Sequence, residues 1–89
     1  KNGSTPMFKA AQDGHVNVVR LLLNVGADKD KATCHGETPL NIAAFRDHFN
    51  VCKALVIAGA DRGRRDVWGT SPIDLARAER HIEIENLLS

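Results

Sequence analysis

The sequence predicts an all-α repeat fold, and three observations lead to that prediction. A nine-residue stretch that opens with glycine and contains a Thr-Pro or Ser-Pro pair begins at Gly3, Gly36 and Gly69, so the copies are 33 residues apart. Each copy carries residues that start a helix, and in the first two an apolar stripe at helical spacing follows. A fixed period of this length is typical of repeat architectures, in which small units stack in a row.

The first unit shows how each repeat is built. Thr5 is a suitable N-cap because its hydroxyl can accept a hydrogen bond from a free amide, and Pro6 suits the first helical position. This pattern predicts one helix over residues 6–12. A second helix is predicted over residues 16–25, where Gly26 ends it by allowing a left-handed turn.

The second and third units follow the same plan with one systematic difference. The second starts a helix at Thr38 and carries an apolar stripe through Leu55, whereas the third starts at Ser71 but places Glu85 where the second has Cys52. A repeat that stacks on one side only should have a polar outer face, so the third unit is predicted to be a C-terminal cap. The predicted repeats of this single domain are 1–32, expected to be truncated at its start, 33–65 and 66–89.

The apolar stripes of the second helices predict the core. The stripe positions are Val16, Val18, Val19, Leu22 and Leu23 in the first unit, and Phe49, Val51, Cys52, Leu55 and Val56 in the second. Leu22 and Leu55 are equivalent positions and are both expected to be buried. Replacing either with alanine is therefore expected to cost roughly 2–5 kcal/mol of stability.

Composition and charge argue against several classes of protein. The 89 residues have a formal net charge of +1, which gives no general reason to expect nucleic acid or a membrane as partner. No apolar run approaches the roughly 20 residues that span a bilayer. Cys34 and Cys52 form no CxxC pair and no signal peptide is recognisable, which favours a reducing compartment, the cytosol or the nucleus.

Two of the units carry a recognisable family pattern. The first has Thr5-Pro6, Ala10-Ala11, Gly14-His15 and Gly26-Ala27-Asp28, and the second has Thr38-Pro39, Ala43-Ala44, His48 and Gly59-Ala60-Asp61. The chain thereby resembles the ankyrin repeats over its whole length. The resemblance implies a solenoid of stacked antiparallel helix pairs with β-hairpin-like finger loops. It also implies a protein-binding scaffold without enzymatic activity or cofactor, either a monomer or part of a longer chain.

The same resemblance implies that a partner protein or peptide binds on a concave face formed by the fingers and the first helices. Carried over position by position, the partner-binding residues are His35, Glu37, Phe45, Arg46, Arg65, Trp68, Thr70 and Glu79. Trp68 stands out because tryptophan and arginine dominate binding hot spots, and Phe45 because it should point toward the groove. Trp68 either contacts a partner or packs on the adjacent finger. Arg46 is either a partner contact or a solvated cation at the end of a helix.

A basic finger suggests an alternative function. Arg62, Arg64 and Arg65 lie within four residues, and guanidinium groups pair bidentately with oxyanions. The cluster would then contact an anion or nucleic acid, with affinity that falls steeply as salt is added, or else it is a solvated finger. A basic stripe across the whole fold is absent, which argues against a dedicated nucleic-acid binder. A third interpretation is a structural segment at the end of a longer ankyrin array.

The histidines and cysteines are predicted to be structural rather than catalytic. The histidines that recur at the repeat period are His15, His48 and His81. Because they recur, their imidazoles are expected to hydrogen-bond nearby backbone in the turn between two helices. Cys34 and His35 have no second ligand pair at zinc spacing, so no metal site is predicted. Cys52 is expected to be buried and Cys34 exposed.

Overall fold

Six helices, arranged as three antiparallel pairs, account for most of the chain in a computed structural model that describes residues 3–89. The pairs are α1 (Pro6–Asp13) with α2 (Val16–Asn24), α3 (Pro39–Phe45) with α4 (Phe49–Ile57), and α5 (Pro72–Ala78) with α6 (Ile82–Leu88). Within residues 3–89 there is no strand. The predicted all-α fold of stacked helix pairs is confirmed. Lys1 and Asn2, with which the first predicted repeat begins, lie outside the described residues.

Each first helix begins at a proline that follows a hydroxyl side chain. The hydroxyls of Thr5, Thr38 and Ser71 each accept a hydrogen bond from the amide three residues later. In α3 the Asn41 carboxamide oxygen accepts from the Thr38 amide at 2.8 Å, and in α5 the Asp74 carboxylate accepts from the Ser71 amide at 3.1 Å. These reciprocal bonds are capping boxes, so a few residues determine where α3 and α5 start.

The helix pairs stack side by side, and small residues set their spacing. α3 packs between α1 and α5, and α4 packs between α2 and α6. The buried alanines of the first helices are Ala10, Ala11, Ala43, Ala44 and Ala76. Because alanine has a short side chain, neighbouring first helices can approach closely, while the larger side chains of the second helices fill the rest of the core.

The apolar stripe of α2 is less buried than the sequence predicted. Val19 is fully buried, but Leu22 is only partly buried and Val18 is 44% exposed. The equivalent residues of α4, Val51 and Leu55, are almost completely buried. These positions face the preceding helix pair, because Ile84 of α6, which packs on α4, is also buried, whereas α2 has no preceding pair in the described part of the chain. The prediction that the apolar stripe of α2 is buried is therefore wrong for Val18 and only partly met at Leu22.

Two of the repeated histidines join the second and third helix pairs to the pair that precedes each of them. The Nε2 atom of His48 lies 3.1 Å from the carbonyl oxygen of Gln12, and the Nδ1 atom of His81 lies 2.9 Å from that of Ala44. The predicted hydrogen bonds to backbone are confirmed for both residues. Their acceptors lie in the preceding first helix rather than in the local turn. His15 is exposed, and its ring makes no such bond within residues 3–89.

The two cysteines lie in opposite environments. Cys34 is exposed on a loop and Cys52 is fully buried in α4, which confirms both predictions. Burial raises the pKa of the Cys52 thiol to about 12, and the negative charge of Asp47 adds to the rise. Since the thiolate is the reactive form, Cys52 is protected both by its location and by its protonation state.

We expect only one thiol to react in the folded protein. At about pH 8 a maleimide should modify Cys34 and leave Cys52 untouched, because the Cys52 thiolate is scarcely populated at that pH. Mass spectrometry of the proteolysed, labelled protein measures both sites. Labelling in denaturant serves as the control and should modify both thiols. Equal labelling rates in the native protein would contradict the prediction.

Candidate functional site

Two loops between the helix pairs form hairpin-like fingers. They are finger A, residues 33–37, and finger B, residues 66–70. In finger A the Thr33 amide donates to the Glu37 carbonyl oxygen at 2.9 Å, and in finger B the Asp66 amide donates to the Thr70 carbonyl oxygen at 3.0 Å. These bonds close each loop without forming a ladder, so the fingers are hairpin-like in hydrogen bonding although they contain no strand.

Finger A and finger B pack directly against each other. The Val67 amide donates to the His35 carbonyl oxygen at 2.9 Å. Gly36 has a φ of 76°, and a Cβ atom built there would lie 3.2 Å from the Cα atom of Asp66. The rings of His35 and Trp68 stack with centroids 5.5 Å apart and planes at 27°. Finger A therefore fixes the position of Trp68.

A groove of about 270 Å³ lies between the fingers and helices α3 and α5, and we call it the finger–helix groove. Its lining residues are Glu37, Asn41, Ile42, Phe45, Arg46, Asp66, Trp68, Thr70 and Leu75. Five of these were predicted as partner contacts: Glu37, Phe45, Arg46, Trp68 and Thr70. The structure thus brings most of the predicted site residues together in one concavity.

The two aromatic residues of the groove are solvent-exposed. Trp68 is 66% exposed and Phe45 is 41% exposed. Trp68 does pack on the adjacent finger, as one of its two interpretations required, but most of its surface stays accessible. Indole and phenyl rings offer large apolar area with few rotatable bonds, so they can be covered by a ligand at a low entropic cost.

Charged side chains are distributed unevenly around the groove. The Oδ1 atom of Asp66 accepts hydrogen bonds from the amides of Trp68 and Thr70, at 3.0 and 2.9 Å, and so shapes finger B. Glu37 is partly exposed beside it on finger A. Arg46 is the exposed C-cap residue of α3, and its side chain forms no ion pair or hydrogen bond among the described residues.

The remaining predicted residues lie outside the groove lining. The His35 ring stacks on the Trp68 ring but does not line the groove. The Nη1 atom of Arg65 donates to the Gly69 carbonyl oxygen at 2.7 Å and to the Asp74 carboxylate at 3.2 Å, so Arg65 braces finger B. Glu79 is exposed at the end of α5.

Sequence reasoning missed four lining residues of the groove. Asp66 belongs to finger B, whereas Asn41, Ile42 and Leu75 come from the first helices, where they were read only as parts of the repeating helix pattern. A signal was available, because Ile42 and Leu75 are 33 residues apart and are apolar where the first unit has Lys9. Equivalent apolar positions on neighbouring first helices form a continuous floor.

Asp74 links the helix cap to the charge of Arg65. Hydrogen bonds from the Ser71 amide and hydroxyl hold the pKa of the Asp74 carboxyl below its usual value of 3.8, and the Arg65 guanidinium adds to the shift. The ionised carboxylate is thus the form that the fold favours. It stabilises the fold fully above the unfolded-state pKa, and that contribution is lost as pH falls through the lower folded-state pKa.

Lowering the pH should therefore remove the extra stability that Asp74 gives the fold compared with asparagine at the same position. Asp74→Asn is a close replacement, because Asn41 makes the same cap in α3. We expect the wild type to melt above the variant at neutral pH, and the difference in melting temperature to shrink below about pH 4. Thermal unfolding followed by circular dichroism from acidic to neutral pH measures this. A difference that does not change with pH would contradict it.

The three arginines of the basic finger, Arg62, Arg64 and Arg65, make different contacts. The Nη1 atom of Arg62 donates to the Leu87 carbonyl oxygen at 3.3 Å, whereas Arg65 bonds to finger B and α5. Arg64 is exposed, and its carbonyl oxygen accepts from the Asn41 side chain at 3.4 Å. The hydrogen bonds direct Arg62 and Arg65 to different elements, so this geometry gives the anion-binding hypothesis no added support.

No helix within residues 3–89 is long and apolar enough to cross a membrane. In the same range, no three or more His, Cys, Asp or Glu side chains are grouped so that they could hold a metal ion.

Comparison with known protein families matches most of the chain. A family model described as ankyrin repeats (3 copies) matches residues 1–66, a range that takes in α1 to α4 and finger A. No curated protein matched the chain. The matched range is 66 of the 89 residues and includes the helix pair whose first helix, α3, lines the finger–helix groove.

Proposed function

The chain belongs to the ankyrin-repeat family, and from this premise we propose that it binds a partner protein or peptide in the finger–helix groove. Repeats of this family generally act as protein-interaction modules and are typically not enzymes. The partner contacts in this proposal are Glu37, Phe45, Arg46, Trp68 and Thr70. His35 and Arg65 hold finger B and Trp68 in position, and Glu79 lies at the periphery.

The observation that carries the proposal is the exposed, fixed indole of Trp68. It keeps 66% of its surface accessible while the His35 ring and finger A restrain it. A restrained aromatic loses little conformational entropy on binding, and apolar area removed from water contributes about 25 cal/mol per Å². Trp68 and Phe45 at the edges of an apolar floor therefore suit a hot-spot role.

Partner capture with matched variants tests the proposal. The immobilised wild type, the Trp68→Ala/Phe45→Ala variant and an Ile57→Ala/Ile82→Ala variant are compared for retention of the same partner. Ile57 and Ile82 are suitable controls because they are 76% and 65% exposed but do not line the groove. We expect only the groove variant to lose the partner, with the helical circular dichroism of all three proteins unchanged. Unfolding of the groove variant would mean that its aromatics are structural, and the site assignment would fail.

A second candidate role is a structural unit within a longer ankyrin array. Its support is the outer side of α2, where Val18 is 44% exposed although its equivalents Val51 and Ile84 are buried. A further helix pair stacked there would bury Val18 in the same way.

Fusing a copy of residues 34–66 ahead of residue 1 keeps the 33-residue period and tests this role. We expect Val18→Asn to destabilise the extended chain much more than the original chain, since only a buried valine is sensitive to a polar replacement. Equal effects in the two chains would exclude stacking on this side. Stronger partner binding by the extended chain would favour the array role over a self-sufficient site.

The cellular compartment is a separate proposal. Both cysteines are free, and Cys34 is exposed. An exposed free thiol is better preserved in a reducing compartment, so we propose the cytosol or the nucleus. Microscopy of the tagged protein tests this directly.

A further inference from the structure

We infer that the finger–helix groove selects an extended peptide in which a large apolar residue lies between a basic residue and an acidic residue. The inference rests on the proposed function, because it assumes that the groove is the binding site. It adds the chemical class of the ligand and assigns each part of the peptide to a part of the groove.

The floor of the groove suits one large apolar side chain. Ile42 and Leu75 form it, and Phe45 borders it. The volume of about 270 Å³ lies below the roughly 300–1,000 Å³ of small-molecule sites, so a peptide side chain fits better than a drug-sized compound. Leucine, isoleucine, methionine or phenylalanine would gain most from removal of its surface from water.

The finger side of the groove suits a cation. Glu37 and Asp66 both line it, and the exposed face of Trp68 stands beside them. Both hydrogen bonds that Asp66 accepts go to Oδ1. A lysine or arginine placed there would meet two carboxylates and an indole ring, which attracts cations through its quadrupole.

The opposite end of the groove suits an anion. Arg46 follows α3, whereas Glu37 precedes it, so the seven residues of α3, about 10 Å of helix, lie between the two residues. The ion pairs found within residues 3–89 involve neither Arg46 nor Glu37. The Arg46 guanidinium is thus available for a bidentate contact with a carboxylate.

The spacing of these features sets the spacing of the ligand. An extended chain advances about 3.3 Å per residue, so the length of α3, about 10 Å, corresponds to about three positions. The basic and acidic residues of the peptide are therefore at least about three positions apart, with the apolar residue between them.

Selection from a phage-displayed library of random peptides tests the inference. The immobilised wild type is the bait, and the Trp68→Ala/Phe45→Ala variant removes peptides that bind elsewhere. We expect the retained peptides to be enriched in the basic–apolar–acidic arrangement. A retained peptide synthesised with its acidic residue changed to lysine should bind the wild type about fivefold more weakly, as loss of an exposed ion pair predicts.

Charge reversal on the protein completes the test. Arg46→Glu should weaken the selected peptide about fivefold and restore binding of its lysine version, whereas Arg64→Glu, which makes the same change outside the groove, should do neither. Equal effects of the two reversals would overturn the inference. Groove-dependent peptides without a charge pattern would overturn it and leave the proposed function intact. Failure to select any groove-dependent peptide would overturn both.

Discussion

Leu55→Ala should remove about 2–5 kcal/mol of stability and leave much of the protein unfolded at room temperature. Leu55 is fully buried in α4, the middle of the three second helices, so its truncation opens a cavity that helices on both sides must tolerate. Domains of this size are marginally stable, because a short chain buries a modest fraction of its surface. In a stacked array the same cavity weakens the repeat and both of its interfaces.

The equivalent leucine of α2 provides a matched control for this prediction. Leu22→Ala makes the same chemical change at the equivalent position of α2, where the side chain is only partly buried. We expect a smaller loss than at Leu55, since less surface was removed from water there. Urea denaturation of both variants, followed by circular dichroism, compares the two free energies of unfolding. Equal losses would mean that α2 and α4 do not differ in burial as described.

Local features of the sequence were sufficient to predict the helices. The start of α3 depends on Thr38 and Asn41, which form reciprocal hydrogen bonds over three residues. The Thr38 cap needs no distant partner and was predicted from the Thr-Pro pair, whereas the return bond to the Asn41 side chain was not predicted. The 33-residue period then indicated that neighbouring units must stack.

Burial at the edge of the stack could not be predicted in the same way. Val18 and Val51 occupy the same place in the repeat, yet only Val51 has a preceding helix pair to pack against among residues 3–89. Helical periodicity reports which face of a helix is apolar, but burial also depends on what lies against that face. The residues of the apolar stripe of α2 were therefore identified correctly, but the extent to which they are buried was overestimated.

Five of the eight predicted contact residues line one groove, but the sequence did not indicate what each side chain contacts. Arg65 and Trp68 were both predicted as partner contacts. The structure engages the Arg65 side chain with Asp74 and Gly69, and it stacks Trp68 on His35 while leaving it exposed. These interactions join residues from different loops and helices. Residue type and repeat position alone therefore could not show that the Arg65 side chain is engaged within the protein while Trp68 stays exposed.

Gly36→Ala should be the most disruptive single change in the fingers. Gly36 has a φ of 76°, a left-handed conformation that costs a residue with a Cβ atom roughly 1–2 kcal/mol. The added Cβ would also lie 3.2 Å from the Val67 amide nitrogen, and backbone atoms cannot swing aside as a side chain can. Finger B would have to shift by a few tenths of an ångström, which would weaken the hydrogen bond between Val67 and His35.

Gly69→Ala separates the cost of the left-handed backbone conformation from the cost of the close contact between the fingers. Gly69 has a φ of 77°, but a Cβ atom there would meet nothing within 4 Å, so this variant carries the conformational strain alone. We expect both variants to lose stability in urea denaturation and Gly36→Ala to lose more. Hydrogen exchange at the Val67 amide should speed up only in Gly36→Ala, and identical exchange in the two variants would show that the fingers are not in contact. Because finger B holds Trp68 against His35, Gly36→Ala should also weaken partner binding, although Gly36 does not line the groove.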